Sequence, residues 1–129
     1  MVKLESLKKS YQFKKILKEK KVHSEFFSIF AAKNFYKPKY KEDLIVSFVM
    51  KKKIGNAVKR NKIRRKLKAI TQKLLKKKGA INMDYTYIVF GKSNAYAQKQ
   101  DVLLPLMERS FSKIKKWNDK NSNFNYKIL

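Results

Sequence analysis

Apolar positions along the chain fall into helical, extended and mixed spacings, and these divide it into elements. Phe13, Ile16 and Leu17 recur at helical spacing within residues 10–20, and Ser10 stands where an N-cap is wanted, so a short helix is expected there. Residues 26–32 (FFSIFAA) and 44–50 (LIVSFVM) are short runs of β-forming side chains and read as strands. Between them, residues 34–43 hold Pro38 and five charged side chains, which suits a turn. From residue 57 to about 78, Ile63, Leu67, Ile70 and Leu74 follow the spacing +4, +3, +4 and form one stripe of a long helix, with Gly79 as the expected C-terminal cap. Residues 84–90 (DYTYIVF) read as another strand. Leu103, Met107, Ser110, Ile114 and Trp117 suggest a last helix over about 100–117, in which Pro105 fits only if it lies in the first turn. A strand, a helix and a strand in succession imply a parallel pair joined by a crossover. The order is α-β-β-β-α-β-α, an α/β (α+β sandwich) chain. With no internal repeat and no flexible linker, residues 1–117 are expected to form one domain and 118–129 a basic tail.

Charge changes this picture most. Among 129 residues, 34 are Lys or Arg and 9 are Asp or Glu, a formal net charge of +25. Self-repulsion on that scale opposes a compact state, so a polyanionic partner is implied: nucleic acid first, an anionic membrane surface second. The 43% apolar and 13% aromatic content argues against a disordered basic tail. There is no cysteine and a single histidine, His23, which excludes disulfide frameworks, thiolate chemistry and His-rich metal clusters. No apolar run approaches the roughly 18 residues of a membrane span, and the start lacks a signal-peptide core, so a cytoplasmic location is expected.

The charge is unevenly placed. Residues 44–83 contain no acidic side chain and 14 Lys or Arg. On the long helix, Asn61, Arg65, Lys68 and Gln72 fall opposite the apolar stripe, flanked by Lys62 and Arg64. Like charges stand four apart at Arg60–Arg64 and Arg64–Lys68, a repulsion that a helix selected only for solubility would relieve with acids. Three of the chain's four arginines (Arg60, Arg64, Arg65) lie on this helix, where their forked donors suit phosphate. The nine Phe and seven Tyr are mostly core material, and a few exposed in a cleft would serve as stacking platforms for unpaired bases. His23 reads as a surface or satisfied residue. Neither Glu42-Asp43 nor Asp84 has the spacing of a metal-dependent nuclease centre.

Residues 52–68, KKIGNAVKRNKIRRKLK, resemble the signature of the bacterial ribonuclease P protein subunit, K-[KR]-x-G-x-A-x-x-R-N-x-[IL]-[KR]-R. Lys52, Lys53, Gly55, Ala57, Arg60, Asn61, Ile63, Arg64 and Arg65 match it. LKKSYQFKKILKEK resembles that family's first helix, SEFFSIF its next strand and DYTYIVFGK the strand after the basic helix, so the likeness covers about residues 4–117.

The resemblance implies a sheet of about four strands with three helices, ribosomal-protein-like, with a left-handed βαβ crossover that runs against the usual right-handed rule. It implies a partnership with a catalytic RNA that removes the 5′ leader of precursor tRNA. The RNA supplies the active site and its Mg2+; no catalytic residue, metal site or cofactor is expected in the protein. Carried over by position, Lys53, Lys59, Arg60, Asn61, Lys62, Arg64, Arg65 and Lys68 would meet the catalytic RNA. Phe13, Leu17, Phe30, Lys51, Lys52, Asn56 and Lys92 would lie along the leader's path. Leu17 stands where an aromatic residue is frequent, Gly91 where a basic residue is common and Lys20 where glycine often follows the first helix. One protein, monomeric, is expected per RNA. The alternatives are a basic ribosomal or ribosome-associated RNA-binding protein, a protein-only nuclease and a DNA-architectural protein.

Overall fold

The computed structural model describes residues 4–34 and 43–116. Its elements are β1 (Leu4–Glu5), α1 (Ser10–Leu17), β2 (Lys20–His23), β3 (Phe27–Lys33), β4 (Leu44–Val49), α2 (Ala57–Leu75), β5 (Tyr85–Gly91) and α3 (Gln100–Lys115). The five strands form one sheet in the order β1-β4-β5-β3-β2. β4 and β5 run parallel and are joined through α2, as the strand–helix–strand succession requires. β2, β3 and β5 pair antiparallel in sequence, and β1 adds a parallel edge beside β4.

The sheet has five strands rather than about four, because β1 pairs through only Leu4 and Glu5 and is too short to show a period. α1 is shorter than the expected 10–20. Its N-cap is Lys9 rather than Ser10, and the Gln12 carboxamide accepts from the Lys8 and Lys9 N–H groups at 3.3 and 3.2 Å. It stops at Leu17 because Lys20 already pairs with Ala31 as the start of β2. α2 ends at Leu75, with Lys76 as its C-cap, so Gly79 does not cap it. Gly79 instead turns the following loop at φ 80°, where its carbonyl accepts from Lys115 Nζ at 2.6 Å. Pro105 lies in the second turn of α3, not the first. Pro105 is exposed, as is Asp101, whose carbonyl loses its helical partner there. The turn expected over 34–43 falls largely, and the tail over 118–129 wholly, outside the described residues.

Side-chain alternation divides the sheet between two cores. Phe27, Ile29 and Ala31 of β3, Leu44 and Val46 of β4, and Tyr87 and Val89 of β5 face α2 and α3. The α2 stripe Ile63, Leu67, Ile70 and Leu74 is buried there with Leu103, Met107, Phe111 and Ile114 of α3. Tyr87 and Phe111 meet edge to face at 5.1 Å. Each large apolar side chain so buried contributes about 1.5–3 kcal/mol. The opposite face carries a smaller core of Leu7, Ile16, Ala32, Ile45 and Ile88, against which Phe13, Phe30, Val49 and Phe90 are half-buried. Of the helices, α1 alone covers this face, and it leaves the part near β2 and the end of β5 open.

Candidate nucleic-acid interface

α2 begins at a built cap. The Asn56 side chain accepts from the Lys59 backbone N–H at 2.9 Å, satisfying a donor the first turn would otherwise leave open. Asn61, Arg65, Lys68 and Gln72 are exposed along the outer face, opposite the buried stripe. Arg64 is half-buried and donates from Nη1 to Asn61 Oδ1 at 2.6 Å, which fixes the guanidinium along the helix surface. Arg60 is also half-buried, and its Nε has no hydrogen-bond partner among the described residues.

One edge of α2 is committed inward. Lys59 Nζ donates to Ser93 Oγ at 2.8 Å. Lys66 Nζ donates to the carbonyls of Ala95 (3.4 Å), Tyr96 and Gln98 (2.8 Å), capping the loop between β5 and α3. Burial, then neighbouring Lys62, holds the Lys66 ammonium below the usual lysine range. Lys59, Lys62 and Lys66 stand over the Tyr96 ring at 5.5, 4.7 and 5.9 Å from its centroid. Lys59 and Lys62, assigned from the motif to an RNA-facing row, border this loop, with exposed Lys62 one turn from Arg65 on the outer face.

On the sheet's other side, an open cleft of about 880 Å³ lies between the end of α1, β2, β3, the end of β5 and the loop after β4. Leu17, Phe30, Lys51 and Lys92 line it, so four of the seven residues expected along a leader path are brought together. Lys53, expected on the catalytic-RNA side, lines it too. The remaining three do not. Phe13 packs on the small core, Lys52 is exposed in the 3-10 turn Lys52–Ile54, and Asn56 is engaged as the α2 cap. Sequence reasoning missed Lys21, His23 and Phe90 on the cleft wall. The alternation of Lys21 with His23 and of Ile88 with Phe90 was the available signal, once the strands' faces were known.

The cleft is basic and aromatic. Lys92 Nζ donates to the Ser24 carbonyl at 2.6 Å, which holds the ammonium at the rim. Gly91 stands where a basic residue was looked for. A Cβ there would collide with the Met50 sulfur and reach Ile63 Cγ2 at 2.8 Å, so close approach of α2 and the loop to β5 requires glycine. His23 Nδ1 lies 2.7 Å from Ser28 Oγ. Burial, then Lys21 and Lys92, holds its pKa below the usual histidine range, which favours the neutral ring. Among the described residues no group of three His, Cys, Asp or Glu could hold a metal ion, and no helix is long and apolar enough to cross a membrane.

Residues 1–115 match the family model described as Ribonuclease P. The chain is 32% identical over 83 residues to the "Ribonuclease P protein component" of Mycoplasma mycoides, covering 64% of this chain and 72% of that protein. The fold is similar to the Staphylococcus aureus RNase P protein, with TM-score 0.63 and 26% identity over 88% of this chain and 97% of the other. It is also similar to the Thermotoga maritima RNase P protein, with TM-score 0.61 and 25% identity over 81% and 96%. The motif on α2, the sheet it packs against and these likenesses converge on one conclusion: the chain belongs to the ribonuclease P protein family.

Proposed function

We propose that this protein joins a catalytic RNA through the outer face of α2 and holds the 5′ leader of precursor tRNA in the cleft beside α1. The observation that carries the reading is the pair of separate cationic surfaces, one on each side of the sheet. Asn61, Arg65 and Lys68 lie on one, and Lys21, Lys51, Lys53 and Lys92 surround the other. Two polyanions are held at once by such a molecule without competing for the same side chains.

The protein's contribution is binding and charge. Arginines on a rigid helix take phosphates of a folded RNA in forked pairs. Lysines around aromatic walls suit an unpaired strand, whose bases stack while its phosphates meet ammonium groups. Positive charge between the two RNAs lowers their repulsion, so less Mg2+ is needed for cleavage. The RNA supplies the active site and its Mg2+; the polypeptide alone has no hydrolytic role. One protein acts per RNA, in the cytoplasm of a bacterium. The family match displaces the ribosomal-protein alternative, which had the charge and the fold type but not the motif.

The test is cleavage of a precursor tRNA by the cognate catalytic RNA at low Mg2+, with and without the protein. Cleavage that requires both components is the expected result. Cleavage by the protein alone, or no effect of adding it, overturns the reading.

A further inference from the structure

Leu17 gives the α1 side of the cleft an aliphatic wall, so that side offers no stacking surface. The sheet side differs. Phe30 on β3 and Phe90 on β5 are diagonal neighbours, since Phe30 pairs with Ile88 and Ser28 with Phe90. Their rings meet edge to face, 5.4 Å apart at 70°. Each ring carries its own ammonium. Lys21, the β2 residue opposite Phe30, places Nζ 5.6 Å from the Phe30 centroid. Lys51, in the loop after β4, places Nζ 5.6 Å from the Phe90 centroid.

Because the rings stand at 70°, one base cannot lie flat on both. The arrangement therefore consists of two ring-and-ammonium units side by side rather than one platform. A base arriving on a ring displaces a mobile lysine tip, and the same ammonium remains within reach of that nucleotide's phosphate. We infer that Phe90 with Lys51 is a second nucleotide subsite beside Phe30 with Lys21. Together they take two consecutive unpaired nucleotides, and the sheet supplies the stacking that Leu17 does not. This rests on the cleft being the leader site.

The experiment uses the holoenzyme assembled with its catalytic RNA and two substrates, a precursor tRNA with an unpaired leader and the same tRNA without it. The reading is the ratio of their affinities. A wild-type ratio near one overturns the leader assignment of the cleft itself. If the wild type favours the leader, Phe90→Leu, which keeps apolar volume and removes the π face, is expected to lose about tenfold of that advantage. Affinity for the leaderless tRNA and for the catalytic RNA is expected to stay unchanged. Phe90→Tyr is expected to keep most of the advantage. Lys51→Ala, at an exposed position that the fold does not need, is expected to lose severalfold in the same ratio. Leu17→Phe added to Phe90→Leu is expected to restore part of it. A full leader advantage in Phe90→Leu or in Lys51→Ala, or no recovery in the double variant, overturns the second subsite.

Discussion

His23 places an imidazole between a serine hydroxyl and a ring of lysines. Lys21 acts on it from its own strand and Lys92 from beyond β5, while Lys51 and Lys53, from the loop after β4, line the same cleft. Its lowered pKa has two consequences of opposite sign. In the free protein the neutral ring's contribution is complete above about pH 6.5. It is lost as pH falls further, because the unfolded chain takes the proton first. With RNA in the cleft, phosphates offset the lysines and favour the imidazolium, so binding takes up a proton. Leader affinity is therefore expected to rise as pH is lowered from about 7.5 to 5.5, more in the wild type than in His23→Gln. Titration of leader-bearing precursor tRNA against holoenzyme at the two pH values measures this. Equal pH responses in both proteins would remove His23 from the cleft's electrostatics. The sequence alone presented His23 as a satisfied surface residue, and its bond to Ser28 agrees with that. Its cleft position depended on the β2–β3 register, which the KKVH segment, with one apolar residue, could not announce.

α2 is an element with three duties on three faces. Its apolar stripe builds the larger core, its outer face is cationic, and the flank between them is bolted to the loop before α3 by Lys59, Lys62 and Lys66. Lysines that look equivalent along the helix thus divide into structural and available ones. Further along, Lys73 reaches Gln100 and Lys77 pairs with Glu108, so the same flank meets α3 as well. Lys66→Met removes a charged donor from three carbonyls and is expected to destabilise by about 1–2 kcal/mol, a fall of about 5 °C in melting temperature. Its effect on affinity for the catalytic RNA is expected to be smaller than that of Arg65→Ala. Thermal melting and RNA titration of both variants check the division. A Lys66 variant that melts like the wild type yet binds RNA poorly would reverse it. The helix itself was legible because four apolar residues at +4, +3, +4 leave one orientation for everything else. Its committed flank was not, because the carbonyls Lys66 caps lie about 30 residues away and belong to an irregular loop without a sequence period.

Across the molecule, the net +25 is a field with two foci rather than a uniform coat. A field of that strength accelerates encounter with a polyanion and makes it salt-dependent, and under the proposed function the foci set which RNA docks where. Removing one phosphate contact is expected to lower the log–log salt slope of assembly by about one unit. Arg65→Ala should therefore show that loss with catalytic RNA and leave the leader advantage intact. Filter binding across a salt series tests it, and an unchanged slope would take Arg65 off the interface. The broad architecture was readable because the three dense strands and the striped helix are long enough to carry a signal. The sheet's two edges were not. β1 has two residues, and β2 spends its polar positions on the cleft.

Those edges bear on how the chain is made. α1 joins β1 at one margin of the sheet to β2 at the other, and the Leu7 backbone N–H donates to Ser47 Oγ at 2.8 Å. Residues 4–17 emerge before the rest of the described chain, yet they pack on β3, β4 and β5, up to Phe90. At roughly 5–20 residues per second, this leading segment waits several seconds with Leu7 and Ile16 uncovered before its sheet exists. β5, the last strand to be synthesised, completes the smaller core, whereas the larger one also waits for Leu103, Met107, Phe111 and Ile114 of α3, so the α1 side of the sheet has all its parts first. The cleft on the α1 side therefore has its residues before α2 is seated by α3, and the two cationic surfaces are completed one after the other, late in translation.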